Sequence, residues 1–361
     1  MGLKSIVSGM VCVPRFVIFA CLMNLIFVAD VFPKPSFYEG KTVRIVVGTR
    51  PGGTADMRVR AVTRLLSKYI PGNPQIILEY MPGGGGRKAG NYIYNSARPD
   101  GLTIGGLGST FVSQQILGAS GVQYDIDKMV FLGSGNSKVT YVFLTQAQAG
   151  LDTLEKLVKA KGVRIGAQGV GHAIYMMGRL FAWLLKLQDP RFVIGYSGPE
   201  LDRAVITGEV DARVNIVDTV LDRSPEWVAE KLADFHMVFE IPAGNRVDHP
   251  AFNRLPSLQS YAKTEISKRI LRLASSFRRV GSPFVLMPGV PRERIEILRS
   301  AFRQVFMDPE LGPIWKTFTG APATPVLAEE QEAAIRNIPR DPETIDMFNR
   351  LAGPEPLPPV N

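Results

Sequence analysis

The sequence predicts an α/β protein made of two strand–turn–helix units, each carried by a mostly parallel sheet. Three observations support this. Val43–Val47, rich in β-branched side chains, reads as a strand buried on both faces, and a turn holding Gly52 and Gly53 leads from it into an amphipathic segment. The same corner recurs at Val163–Ala167, where Gly169 and Gly171 precede a long apolar-striped helix. At 361 residues the chain is long enough for about two domains of ordinary size.

In the first unit, Val59, Val62, Leu65, Leu66, Tyr69 and Ile70 recur at helical spacing and Pro71–Gly72 stops the helix. Thr54 reads as its N-cap, and Asp56 suits the positive end of its dipole. Arg58, Arg60, Arg64 and Lys68 fall between the apolar positions. Ile76–Tyr80 is a second strand, so the segment forms a β-α-β unit with parallel pairing. The glycines Gly83–Gly86, a helix over Arg87–Ala97, a turn at Arg98–Gly101 and a strand over Leu102–Leu107 follow. No Gly-Lys-Ser/Thr follows the glycines, so they are not a P-loop.

The second unit reads as strand Tyr141–Thr145, helix Thr153–Lys161, strand Val163–Ala167, helix Ala173–Leu187, strand Arg191–Tyr196, helix Glu200–Thr207 and strand Val210–Ile216. Met176, Leu180, Phe181, Leu184 and Leu187 form a core stripe, while Arg179 and Lys186 argue against a membrane helix. Pro225–Lys268 is weakly patterned and reads as a partial return path to the first unit. A strand over Phe284–Met287, helices over Pro291–Phe306, Pro313–Phe318 and Ala328–Ile338, and an exposed tail over Pro354–Pro359 complete the chain.

The balance of 42 Lys+Arg against 33 Asp+Glu, a net charge of +9, favours an anionic partner. The basic residues are scattered among acidic ones without interleaved aromatics, which argues against nucleic acid. Residues 1–29 have the shape of a signal peptide: Lys4 and Arg15 precede an apolar run, Phe16–Ala29. The expectation is export to an oxidising compartment, with an uncleaved anchor as the alternative because Phe27 and Ala29 make a poor cleavage site. Cys12 and Cys21 both lie in this segment, so the processed chain has no thiol chemistry, disulfide or cysteine metal site. The three histidines, His172, His236 and His249, show no metal-ligand spacing, and no cofactor is expected.

A strand-to-helix glycine corner presents peptide N–H groups to an anion, which makes Gly52, Gly53, Thr54, Ala55 and Asp56 candidate ligand contacts. Arg50 inside that corner is a candidate bidentate partner for a carboxylate. Ser109 and Thr110 follow the strand Leu102–Leu107 at its carboxyl end, the side on which open parallel sheets bind ligands. The second corner contributes Gln168, Gly169, Val170, Gly171 and His172.

In order, these segments resemble the periplasmic receptors of tripartite tricarboxylate transporters, the Bug or TctC-type family. The resemblance is carried by Val47–Asp56 (VGTRPGGTAD), Tyr80–Gly86 (YMPGGGG), Pro99–Thr103 (PDGLT), Tyr196–Gly198 with Gly208–Asp211 (YSG, GEVD), and Met287–Pro291 with Asp308–Glu310 (MPGVP, DPE). It spans about residues 37–326. It implies a two-lobed periplasmic-binding-protein-like fold, each lobe a mostly parallel sheet flanked by helices, closing by hinge motion on a small carboxylate. The implied organisation is a first lobe over 37–138, a second over 139–236, a crossover and return over 237–353 and a tail over 354–361. The implied partners are a small organic carboxylate, a dicarboxylate by the two-corner argument, and the membrane components of such a transporter, with the receptor a monomer.

Departures fall at the ligand. Gly48 and Thr49 replace the family's Pro and Phe, and the second corner reads Ala167–His172 (AQGVGH) followed by Tyr175, where relatives carry Ser at the start and a hydroxyl residue after the last glycine. Asn215 stands where the family usually has an acid and Ser282 where it often has Trp. With His172, Tyr175 and Tyr196 available for flat contact, a larger or partly aromatic ligand is expected. Two other functions fit less well. A sensory binding lobe would have the same sequence, and a dinucleotide enzyme rests on Gly166–Gly171 alone.

Overall fold

The computed structural model describes residues 1–2, 36–52 and 54–359. Residues 3–35, which include both cysteines and nearly all of the stretch expected to be a signal peptide, together with Gly53 and residues 360–361, lie outside the described residues. The first sheet is built from β1 (Thr42–Val47), α1 (Thr54–Tyr69), β2 (Gln75–Tyr80), α2 (Arg87–Asn95), β3 (Thr103–Gly106), α3 (Thr110–Ile116) and β4 (Val130–Gly133). Val43, Ile45, Val46 and Val47 are all fully buried, as a parallel strand covered on both faces requires. β1 pairs in parallel with β2, Val47 opposite Tyr80, and with β3, Arg44 opposite Thr103.

The second sheet follows with β5 (Val139–Gln146), α4 (Leu154–Lys159), β6 (Arg164–Ala167), α5 (Ala173–Leu184), β7 (Arg191–Ile194), α6 (Gly198–Ile206), β8 (Ala212–Ile216), α7 (Val217–Arg223), α8 (Glu226–Ala229) and β9 (Ala233–Ile241). The chain then forms α9 (Glu265–Arg279), β10 (Phe284–Leu286), α10 (Arg292–Met307), α11 (Leu311–Thr319), α12 (Ala328–Arg336) and α13 (Pro342–Ala352).

The sheet orders are β2-β1-β3-β10-β4 and β7-β6-β8-β5-β9. In each, the strand in fourth place runs antiparallel to both neighbours and the other four share one direction. The expected two-lobed α/β architecture is therefore present, and its parallel character is broken only by β10 and β5. The second sheet is continuous in sequence. The first is completed by β10, which arrives after the second is finished.

The structure corrects several element readings. Within Pro225–Lys268, read as a weakly patterned return path, β9 is a nine-residue strand paired along the whole of β5, and the following loop stays on the second lobe, where Phe252 joins its core. Helices α3, α7, α8, α9 and α13 and strand β4 form where no element is expected from the sequence. Thr54 is the first residue of α1 rather than the residue before it. The tail after Pro354 is only partly exposed: Leu357 packs on the core, and the Glu355 carbonyl accepts from Arg179 Nη2 at 2.6 Å.

Two segments of chain near residues 134–138 and 280–283 carry the crossings between lobes, and they touch. Gly281 has φ of 73°, and a Cβ placed there would lie 1.9 Å from the Asn136 carbonyl oxygen. The Ser134 hydroxyl ties the two, donating to Asn136 O at 3.0 Å and accepting from Ser282 N at 2.9 Å.

Helix α13 links the lobes a second time. On the second lobe, Tyr175 of α5 donates to Gly353 O at 3.0 Å and the Arg179 guanidinium donates to Leu351 O. On the first, Asn349 Nδ2 donates to Leu117 O at 3.0 Å. A cation at the last carbonyls of a helix is the arrangement its dipole favours. This packing covers α5 all round, so that Trp183, Phe181 and Arg179 are each at most 1% exposed. One apolar cluster accordingly runs from Val46, Ile93 and Phe111 of the first lobe through Phe277 and Phe348 to Phe143, Ile165 and Trp183 of the second. Among the described residues no helix is long and apolar enough to cross a membrane.

Candidate functional site: the interlobe cleft

The carboxyl ends of β1, β3, β6 and β8 open onto one cleft of about 1660 Å³ between the lobes. Thr49, Ser109 and Thr110 line it from the first lobe, Tyr141, Gln168, His172 and Asn215 from the second, and Asn136 and Lys138 from the crossing. At the mouth the lobes meet: a Cβ on Gly320, at the end of α11, would fall 2.1 Å from Asp222 Oδ2 of α7. A recess of about 20 Å³ beside Ser109 and Arg278 is walled by Met176, Met177, Ala274, Phe277 and Phe348.

The first glycine corner does hold an anion, but the anion is its own. Asp56 is 1% exposed, and its carboxylate accepts from Gly52 N at 2.8 Å, Arg60 Nε at 3.0 Å and the Tyr80 hydroxyl at 2.8 Å. Burial pushes this carboxyl up, yet the Gly52 N–H, Tyr80 and Arg60 together outweigh burial and hold it below the usual carboxylate range. Gly52 and Ala55 line the cleft, whereas Asp56 faces inward and the Gly52 amide is already engaged. Arg50 is exposed and does not line the cleft, against the expectation that it grips a carboxylate. Thr54 opens α1, and Gly53 is outside the described residues.

Ser109 and Thr110 are at the cleft as expected, with their hydroxyls committed. Ser109 Oγ accepts from Arg278 Nη1 at 3.1 Å, and Thr110 Oγ1 donates to Gly85 O at 2.7 Å. The second corner, Gln168 to His172, lines the opposite wall. His172 caps α5, its Nδ1 accepting from Ile174 N at 3.2 Å, which leaves the other ring nitrogen as the donor of the neutral ring. The ring opens to the cleft, yet the protein packed around it and the nearby Arg213 and Arg278 guanidiniums lower its pKa. Asn215 is 3% exposed, its Oδ1 accepting from Ile216 N at 2.9 Å while Nδ2 has no partner among the described residues. Gln168 Oε1 and Thr49 Oγ1 are likewise buried without partners.

Both candidate tyrosines leave the site. Tyr175 is 2% exposed and anchors α13, and Tyr196 donates to Glu209 Oε1 at 2.6 Å away from the cleft. The aromatic surface expected from them is therefore absent from the cleft wall. Tyr141 of β5 is the tyrosine that lines it.

No protein-family model and no curated protein matches the sequence. Solved structures do match in shape. A TctC solute-binding protein from Polaromonas, without ligand, superposes with a TM-score of 0.61 at 15% identity, covering 87% of this chain and 98% of its own. MatC from Rhodopseudomonas palustris, with bound malate, gives 0.59 at 18% identity over 87% and 99%. R. palustris Rpa4515, with adipate, gives 0.57 at 13% over 87% and 97%. The chain has the fold of these solute-binding proteins.

Within this TctC-type fold the cleft's most distinctive groups are ones that sequence reasoning missed. Arg58 of α1 donates from Nη1 to Ser282 Oγ at 2.9 Å, and Arg278 of α9 leans over the Tyr141 ring with its Cζ 5.8 Å from the centroid. Neither has a carboxylate partner among the described residues, and the Arg278 Nε has no acceptor. Burial, and then repulsion from Arg278, push the Arg58 guanidinium down to about 9, only partly offset by Tyr141. Arg213 on the second lobe differs: burial lowers it to about 10, but it is paired with Asp202. Two guanidiniums held this close, with no carboxylate partner among the described residues, make this part of the cleft strongly electropositive. The signal available in sequence was slight, since Arg58 looks like any charge on a solvated helix face.

Proposed function

We propose that the chain is an extracytoplasmic solute receptor that binds a small organic anion between its lobes by hinge closure and delivers it to the membrane components of a tripartite tricarboxylate-type transporter. No bond is made or broken in this reading. The observation that carries it is the pair of uncompensated guanidiniums, Arg58 and Arg278, facing the interlobe cleft. Each is propped by one serine hydroxyl and keeps the rest of its fork for a ligand. The fold supports the reading, as do the malate and adipate held by the two R. palustris proteins. The signal-peptide pattern of residues 1–29 is consistent with the export it requires.

The test is calorimetry of the processed protein against a panel of organic acids, repeated with Arg58→Gln and Arg278→Gln. Truncating one partner of a desolvated charge-assisted contact costs about 2 kcal/mol or more, so each variant is expected to weaken the best acid by at least about 30-fold. Unchanged affinity in both variants, or no uptake of any acid by the parent protein, rules the reading out.

A further inference from the structure

The charges lining the cleft are not evenly distributed. From the first lobe and the crossings come Arg58, Arg87, Lys138 and Arg278, and among the described residues no carboxylate lines that side; the cations of the second-lobe wall are each paired with a carboxylate, Arg213 and Arg223 with Asp202 and Arg246 with Glu240. The two carboxylates that do line the cleft, Asp218 and Asp222, both belong to α7 of the second lobe. Asp222 sits at the mouth against Gly320, but Asp218 is partly buried with no cation near it, and burial alone pushes its carboxyl up. Arg213 does not neutralise Asp218, because it is paired with Asp202. On the same wall as Asp218, at the carboxyl ends of the adjacent strands β6 and β8, lie Gln168 and Asn215, whose Oε1 and Nδ2 are buried without partners among the described residues. One wall thus lacks an anion, and the other offers unused acceptors and a neutral amide donor.

We propose that the cleft is polarised and selects a solute carrying a carboxylate at one end, seated on Arg58 and Arg278, and a hydrogen-bond-donating ammonium or carboxamide at the other, donating to Asp218 and Gln168, with a carboxamide oxygen also able to accept from Asn215 Nδ2. This deepens the receptor reading and rests on it, but it departs from the dicarboxylate inferred from the two glycine corners. A second carboxylate at the far end would face Asp218 and pay like-charge repulsion in a site shielded from solvent. A purely apolar end would leave the polar atoms of that wall unsatisfied.

The test is a set of acids matched in length and differing only at the far end: butyrate, succinate, succinamate and 4-aminobutyrate, with their homologues longer by one and two carbons. Each is titrated calorimetrically into the parent protein and into Asp218→Asn. At the best length, the ammonium or carboxamide member is expected to bind at least about tenfold more tightly than the diacid. Asp218→Asn is expected to reduce the ammonium's affinity and to raise the diacid's by about tenfold, a gain that a misfolded variant would not show. A diacid or simple alkyl acid that binds as tightly as its polar-ended counterpart at every length overturns the polarity while leaving the receptor reading intact. Heat from none of the acids overturns both.

Discussion

Asp56 and Arg58 stand two positions apart on α1 and act in opposite directions. Asp56 is a satisfied buried charge that closes the first corner. Removing it in Asp56→Ala strands the Gly52 N–H and Tyr80, and is expected to cost about 2 kcal/mol at neutral pH. Because its folded pKa lies below the unfolded value of about 4, that contribution is complete above about pH 4 and is lost in more acid solution. Thermal melts of parent and variant should therefore differ most at neutral pH, and the difference should shrink as pH falls below about 4. Arg58 instead has its pKa lowered, so the ligand-free fold forgoes stability at neutral pH that returns only as pH rises above about 9. Arg58→Gln is expected to raise the ligand-free melting temperature while abolishing the shift that an acid produces in the parent protein. The sequence could not separate the two roles of such neighbours. Asp56 finds its partners within 24 positions, whereas Arg58 meets Ser282 across 224, a distance that only the finished topology spans.

Elements were legible where their own residues agreed with their fate. β1 is apolar because both faces are covered, and the corner glycines mark its junction with α1, so strand, turn and helix could be read together. β9 was illegible for the opposite reason. Asp234, His236 and Glu240 interrupt its apolar run, and the partners that make two of them acceptable come from elsewhere: Thr145 Oγ1 lies 2.7 Å from His236 Nε2, while Arg246 and Ser257 hold Glu240 at 2.7 and 2.6 Å. α9 did carry its signal, a Thr264/Ser267 cap ahead of Ile266, Ile270, Leu273 and Phe277 at helical spacing, within and beyond a segment dominated by turn residues. At the crossings a glycine matters more than any propensity. Gly281→Ala forces a side chain into a left-handed conformation and against the Asn136 carbonyl, so a loss on the order of 3 kcal/mol in a denaturant melt is expected. An unchanged midpoint would mean that the crossings are not packed as described.

At the scale of the whole molecule, the two sheets repeat one strand order, and the cleft lies where the carboxyl ends of their strands meet. That much followed from the two glycine corners, but which groups would face the gap did not. The ties made by α13 have a further consequence. Tyr175 and Arg179 hold its end to one lobe and Asn349 holds it to the other. The double variant Tyr175→Phe, Asn349→Ala is expected to enlarge the radius of gyration of the ligand-free protein in small-angle scattering and to weaken acid binding by up to about tenfold. In thermodynamic language the final helix is a tethered part of the cleft wall, through Asn349 and Ala352, whose effective concentration is fixed by its tether and cannot be diluted away. A tag or fusion added after Asn361 is therefore expected to change the affinity of the cleft, by changing how firmly that helix stays docked.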